Sequence, residues 1–328
     1  MDEHRGWSLI KRTRLLTTIL VLLGQQSPGL TRAAVPPSER QALVDVFESM
    51  GGRKWRNGTG AAGRWLVGDP CENGWYGVTC NANDTHVVEL YPSQVGSGNA
   101  LNGEIPPSIG NLSQLQHLVL SNAFTHSGEL RGTIPPSFAQ LKELRCVYFS
   151  HSRLSGSIPP AVSQLTKLQG VFMRDNLFRG ALPDVSRWSD LRSVDLDSNK
   201  ALTGELTGFA KLRKLVVLVV HNMGLSGALP ASLCQVFECD AHGNGFQCPL
   251  PHNGSKRCCA ATCTNSSIES SGSRSNSSSS SSSRDAKRPA RRMLQADPGD
   301  TRPYGPGYSC HCHTPPPRKP PMRNADGQ

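Results

Sequence analysis

The sequence predicts an α/β repeat solenoid, a right-handed coil whose short strands stack into one parallel sheet on the concave face. Three observations lead there. A motif of the form L-x-G-x-I-P recurs at Leu101, Leu130, Leu154, Phe178, Leu202 and Leu225, with starts 29, 24, 24, 24 and 23 residues apart. Before each motif from Leu130 onward runs an L-x-x-L-x-L stretch, as at Leu115, Leu118 and Leu120 or Leu191, Val194 and Leu196. Finally, 328 residues that are 37% hydrophobic and 6% aromatic are poorly suited to one compact globule, whereas 32 Gly and 24 Pro suit regular punctuation.

The chain opens with Arg5, Lys11, Arg12 and Arg14, then the apolar run Leu15 to Leu23, then Thr31-Arg32-Ala33-Ala34, the order of a secretory signal peptide (1–34) cleaved near Ala33. Nine apolar residues rise only about 15 Å as a helix, half a bilayer core, so a membrane anchor is the weaker reading and no spanning segment is expected in the mature chain. The net charge of +10 falls mainly on 1–34 and 264–328, and 35–263 carries only +2, so basicity does not argue for nucleic acid. The 11 cysteines and the sequons at Asn57, Asn83, Asn111, Asn253, Asn265 and Asn276 fit export and glycosylation.

Within the solenoid (86–246, about seven coils) a 24-residue coil cannot bury its own apolar positions, so neighbours share one core. Gly permits the tight turn after each strand and Pro ends its hydrogen bonding. Asn176, Asn199 and Asn244 occupy a turn slot suited to bonding adjacent coils, a slot taken by Ser93, Ala123, Ser152 and Met223 elsewhere. Val88 and Leu90 read as the core pair of the incoming coil, and Val236, Cys239 and Ala241 as those of the outgoing one.

These motifs resemble the plant-type extracellular class of leucine-rich repeat proteins, with secreted polygalacturonase-inhibitor-like proteins and receptor-kinase ectodomains among its members. The segment 35–85 is similar to that class's N-terminal cap: Glu39 to Leu43 opens a helix, and Trp65 to Cys71 leads into Gly74-Trp75-Tyr76-Gly77-Val78-Thr79-Cys80. The resemblance implies a Cys71–Cys80 disulfide, a loop closure worth roughly 2.5–3 kcal/mol, and an α/β solenoid with disulfide caps at both ends. At the far end (247–263) the six cysteines Cys234, Cys239, Cys248, Cys258, Cys259 and Cys263 favour three disulfides over a zinc site using His252, with connectivity open. Residues 264–328 are Ser-rich, then basic and Pro-rich, and read as a disordered tail.

Strand alternation places Glu89, Val119, Tyr148, Phe172, Asp195, Val219 and Asp240 in one concave-face column. Tyr91, Ser121, Ser150, Arg174, Asp197, His221 and His242 form the next. Tyr148, Phe172, Arg174, Asp195, Asp197 and His221 are the candidate ligand-binding residues: water-facing aromatic anchors beside charges of both signs. The face measures roughly 29 by 16 Å, less than the roughly 800 Å² of a standard interface. The partner is therefore an extracellular protein that also touches the flanks, or a peptide or polysaccharide, and the long connections 90–101 and 120–130 offer flank surface. No nucleotide loop, hydrolase elbow, zinc-protease or kinase motif occurs, so no catalytic residue, metal or cofactor is expected. Arg174 makes Asp195 and Asp197 a salt-linked pair and not an acid/base dyad. Cys146 is expected on the concave face as a free or intermolecularly bonded thiol, and Cys310-His311-Cys312-His313 as a weak metal ligand set, a disulfide or nothing. Function reads as a secreted, non-enzymatic recognition module. The alternative is a structural or adhesive matrix or cell-wall protein attached through its tail.

Overall fold

The computed structural model describes residues 34–58, 64–93, 99–122, 129–247, 249–250, 252–253, 256–257, 261 and 263–264. The signal segment, most of the tail, and the centres of both long connections lie outside them, as do the side chains of Asn253, Asn265, Asn276, Cys248, Cys258, Cys259 and Cys263. By its contacts the chain divides into two units, Met1–Ala34 and Val35–Gln328, and the second carries the architecture that follows.

Helix α1 (Pro37–Ser49) starts on a proline, whose fixed φ and missing N–H suit a first helical turn, and buries Glu39, Ala42, Leu43, Val46 and Phe47 along one stripe. It packs into an aromatic plug. Phe47 stacks on Trp65 at 5.6 Å, Trp55 meets both edge-on at 5.5 Å, and Trp75 lies 5.3 Å beyond Trp65. Each indole N–H finds a carbonyl, of Met50, Tyr76 and Val67 respectively for Trp55, Trp65 and Trp75, so the plug hides no orphan donor. Cys71 and Cys80 are bonded, as the resemblance implied.

Strands β1 (Val78–Cys80) and β2 (Val87–Leu90) pair antiparallel, and β2 begins the repeat. Outer and inner strands then alternate: β3 (Gly103–Glu104), β4 (His117–Val119), β5 (Leu130–Thr133), β6 (Cys146–Tyr148), β7 (Arg153–Gly156) and β8 (Gly170–Phe172). The alternation continues through β9 (Leu177–Ala181), β10 (Ser193–Asp195), β11 (Ala201–Gly204), β12 (Val217–Val219), β13 (Gly224–Gly227), β14 (Glu238–Asp240) and β15 (Gly245–Gln247). A two-stranded ribbon, β16 (His252–Asn253) with β17 (Lys256–Arg257), and a last outer strand, β18 (Cys263–Thr264), follow. The even strands β2 to β14 form the parallel concave-face sheet, extended at one edge by antiparallel β1; the odd strands β3 to β15, with β18, form a second sheet behind it. Between the sheets lies one continuous core, to which coil after coil contributes Leu118, Val147, Val171, Val194 and Leu218 from the inner strands and Leu101, Leu130, Leu154, Phe178, Leu202 and Leu225 from the outer ones. This is the predicted solenoid.

The Asn slot works as a ladder between coils. Asn176 Oδ1 accepts from Leu154 N while its Nδ2 donates to Phe149 O and Met173 O. Asn199 serves Phe178 N and Met173 O, and Asn244 serves Leu225 N and Val220 O, in the same way. One earlier coil lacks Asn in the slot, but Asn122, a residue before it, bonds both the N–H and the carbonyl of Leu101. Just ahead of the slot the backbone turns left-handed, at His151, Asp175, Ser198 and Asn222, and finally at Gly243. Asp and Asn bear that conformation better than most residues.

Glu39 joins cap to solenoid. Its carboxylate is 2% exposed, lies 2.7 Å from His86 Nδ1 and accepts the Val87 amide at 2.9 Å. Glu39→Ala should therefore strand a buried amide and lower unfolding stability by about 2–3 kcal/mol, measurable by urea titration of the full chain. A midpoint unchanged from the parent protein would mean that the plug alone holds the cap.

Candidate functional site

The inner strands turn two residue columns away from the core. Register links Val119, Tyr148, Phe172, Asp195, Val219 and Asp240 across consecutive strands, as predicted. In the first coil, however, Glu89 pairs with His117 and Leu90 with Leu118, so that strand is displaced by two residues from the expected register. Tyr91 thereby joins the column headed by Val119 and packs beside it. Leu90 therefore takes the core position that the pattern assigned to Val88, and Val87, fully buried, falls level with Leu115.

The face divides into two halves. Over the early coils Val119, Cys146, Tyr148 and Phe172 form a second apolar cluster, separate from the main core. The Tyr148 and Phe172 rings stack at 4.4 Å with 6° between planes. They point away from the core as predicted but do not face water: Phe172 and Cys146 are fully buried and Tyr148 nearly so. Aromatics in register on adjacent parallel strands stand one strand spacing apart, about 4.8 Å, which is stacking distance, so each hides a face of the other. Cys146 is also disulfide-bonded, which corrects the expectation of a free thiol. Its partner lies outside the described residues.

Over the later coils the face is charged. Arg174 reaches Asp175 at 3.3 Å, Asp197 at 3.7 Å and Asp195 at 3.9 Å. His221 Nδ1 lies 2.7 Å from Asp197, His242 Nδ1 lies 2.5 Å from Asp240, and the two imidazoles stack at 4.5 Å. His151 meets Asp175 at 3.0 Å. His221 Nδ1 is also 2.8 Å from Asn222 Nδ2; one nitrogen cannot both donate to Asp197 and accept from the amide, so the tautomer with hydrogen on Nδ1 selects the carboxylate. The structure thus joins Arg174, Asp195, Asp197 and His221 into one network. Asp175, Asp240 and His151 belong to it too. Asp175 and His151 were missed because their left-handed turns swing them onto the rim, which strand alternation does not anticipate.

Burial pushes the Asp195 carboxyl up to about 7, against the attraction of Arg174 and the Asp197 amide that it accepts. Arg174 is itself partly desolvated, but Asp195, Asp175 and Asp197 outweigh that and hold its guanidinium charged, with the pKa raised. Arg174 thus lies within 4.0 Å of both Asp195 and Asp197, with Asp195 only 1% exposed. Among the described residues no cluster of three or more His, Cys, Asp or Glu is placed to hold a metal ion, and no helix is long and apolar enough to cross a membrane. Of the sequons, Asn83 and Asn111 stand exposed and Asn57 is half-buried.

Because Asp195 binds its proton more tightly folded than unfolded, its contribution to stability is fully present below about pH 4 and is lost as pH rises through about 7. Asp195→Asn keeps the shape without that titration. Melting both proteins from pH 4.5 to 8.5 should show the variant gaining on the parent by up to about 4 kcal/mol across that window, whereas parallel curves would show that Asp195 is ionised throughout.

No protein-family profile matches the chain. Over 89 residues it is 34% identical to the LRR receptor-like serine/threonine-protein kinase FEI 2 of Arabidopsis thaliana, a stretch covering 26% of this chain and 14% of that kinase. Among solved structures it is similar to a plant ice-binding protein, with TM-score 0.55 and 23% identity over 70% of this chain and 73% of that one. It is also similar to PEPR1–AtPEP1, with TM-score 0.52 and 22% identity over 70% of this chain and 34% of that one. With its L-x-G-x-I-P coils, aromatic N-terminal cap and paired sheets, the chain has the fold of a leucine-rich repeat solenoid.

Proposed function

We propose that this chain is a non-enzymatic recognition module of the extracellular space, binding an extended segment of an extracellular protein or peptide along its inner sheet. The observation that carries this reading is the charged half of that face, where Arg174, Asp175, Asp195, Asp197, His221 and Asp240 come together. Asp175, Asp197 and Asp240, with Asp195 held near neutrality by its burial, face a single guanidinium, so the segment this half suits carries a Lys or Arg. A neutral polysaccharide would leave those carboxylates without a complement.

Export is supported by the cysteines, since all five whose side chains the structure describes are in disulfides, a state that persists in oxidising compartments. The non-enzymatic reading is supported by the Asp195–Asp197 pair, tied to Arg174 and closed to solvent at Asp195. Cleavage of residues 1–34, glycosylation at the sequons and the extracellular location belong to the same proposal. Similar solved chains include PEPR1–AtPEP1, a likeness of fold.

The test is to screen full-length protein against a library of short extracellular peptides and cell-wall oligosaccharides, then to compare hits on two variants. Asp197→Asn combined with His221→Ala should weaken a true ligand at least about tenfold, or 1.4 kcal/mol, while Arg153→Ala on the outer sheet leaves it unchanged. Ligands sensitive only to the outer-sheet change would move the site to the other face. Ligands that are uniformly neutral glycans would contradict the charge argument.

A further inference from the structure

The residue just ahead of each inner strand lies on one rim of the sheet, and backbone hydrogen bonds join these residues from coil to coil. The Arg145 amide donates to the Gln116 carbonyl at 2.8 Å, Gln169 to Arg145 at 2.7 Å, Arg192 to Gln169 at 2.8 Å and Val216 to Arg192 at 2.7 Å. Phe237 follows Val216 in this column, because the next residues, Val217 and Glu238, are register partners. Over four coils the column is amide or guanidinium: Gln116, Arg145, Gln169 and Arg192. In the last two it turns apolar, yet both side chains stand in water, Phe237 89% exposed and Val216 43% exposed. The other large apolar side chains exposed among the described residues are Val67 in the cap and Leu177 on β9 of the outer sheet. Such single residues are ordinary on a surface, whereas Val216 and Phe237, one strand spacing of about 4.8 Å apart, form a continuous patch.

We propose that Val216 and Phe237 are the apolar subsite of the binding face, taking a large apolar side chain of the same extended segment whose Lys or Arg lies over the carboxylates of the last coils. The subsite presupposes the recognition reading and specifies its ligand. The rim turns apolar in the coils that also supply His221, Asp240 and His242, so the patch adjoins the charged half of the face. Glu238 follows Phe237 directly, and β14 therefore runs from an exposed ring past one carboxylate to a second at Asp240. Phe237 and Asp240 are three residues apart, about 10 Å at 3.3 Å per residue. An extended segment lying along β14 matches that distance with its apolar and basic residues two to four positions apart. The stacked pair Tyr148 and Phe172 does not offer the same anchor, since both rings are buried. A covered aromatic side chain withdraws roughly 150–250 Å² from water. Two side chains fall well short of the roughly 800 Å² that each partner gives to a standard protein interface, so the patch suits a peptide side chain and not a second folded copy.

The test selects a random dodecapeptide library on immobilised full-length protein, then measures the enriched peptides in solution against the parent, Phe237→Ala, and Asp197→Asn combined with His221→Ala. Enriched peptides should carry Leu, Ile, Phe, Tyr or Trp two to four positions from a Lys or Arg. Phe237→Ala should weaken them at least about tenfold, with a thermal midpoint equal to the parent's because the ring is exposed. On a peptide whose apolar residue is replaced by Ala, the same variant should cost less than about twofold, since the contact is already gone. Peptides that respond to the Asp197 and His221 changes but not to Phe237→Ala would overturn the apolar subsite and leave the recognition proposal standing. Apolar and basic residues enriched at no fixed spacing would overturn it as well. A library with no enriched peptide would overturn the subsite together with the reading it presupposes. Sedimentation of the parent as a dimer that Phe237→Ala converts to monomer would assign the patch to a second copy and overturn the peptide subsite.

Discussion

No coil of this protein can bury its own leucines, and the rest of the structure follows from that constraint. A 24-residue turn of chain presents Leu, Val or Ile on its inner strand and again on its outer strand, and each is covered only when another coil lies against it. Stacking then forces the strands parallel and in register, about 4.8 Å apart. The same register that aligns Val147, Val171, Val194 and Leu218 inside aligns Tyr148, Phe172, Asp195 and Val219 outside. The functional face is in this sense a by-product of core packing, a set of columns whose spacing is already determined and whose chemistry is free to vary.

The ends are where that logic stops and other chemistry replaces it. At the N-terminal end a helix, four aromatic rings and a disulfide cover the first coil, and Glu39 ties them to β2 through a buried carboxylate. Gly103 shows how close the fit is, since its φ of 118° excludes an ordinary side chain and a methyl there would overlap the Ser49 carbonyl. At the other end Cys234 and Cys239 are bonded. Between the caps, Asn176, Asn199 and Asn244 satisfy backbone groups of the preceding coil, converting a turn that would bury orphan amides into a bond between neighbours.

Much of this was legible in the sequence because periodicity is a strong signal: the coils, the core columns and the Cys71–Cys80 cap all stand where motif spacing and resemblance put them. What escaped was local or non-repeating. Two adjacent valines, Val87 and Val88, make the first strand's register ambiguous, and only pairing with β4 resolves it. Asn122 does the ladder's work one residue early, which no fixed offset reveals. At the site, alternation placed Tyr148, Phe172, Arg174, Asp195, Asp197 and His221 on one face but said nothing about burial, which depends on neighbours in register and on whatever lies over the sheet. Asp175 and His151 entered through left-handed turns, and that Cys146 is disulfide-bonded is nothing a local pattern shows.

The central claim is that coils are held by their neighbours and not by themselves, and Asn176 is the sharpest place to examine it because it bonds Leu154 and Phe149 of the preceding coil as well as Met173 of its own. Urea unfolding of Asn176→Ala, followed by both fluorescence and circular dichroism, is the direct measurement. The account predicts one transition with an unchanged slope and a stability lower by about 2–3 kcal/mol, the cost of stranding buried backbone groups at a coil boundary. An unchanged midpoint, or a split into separate transitions for the coils on either side, would contradict it.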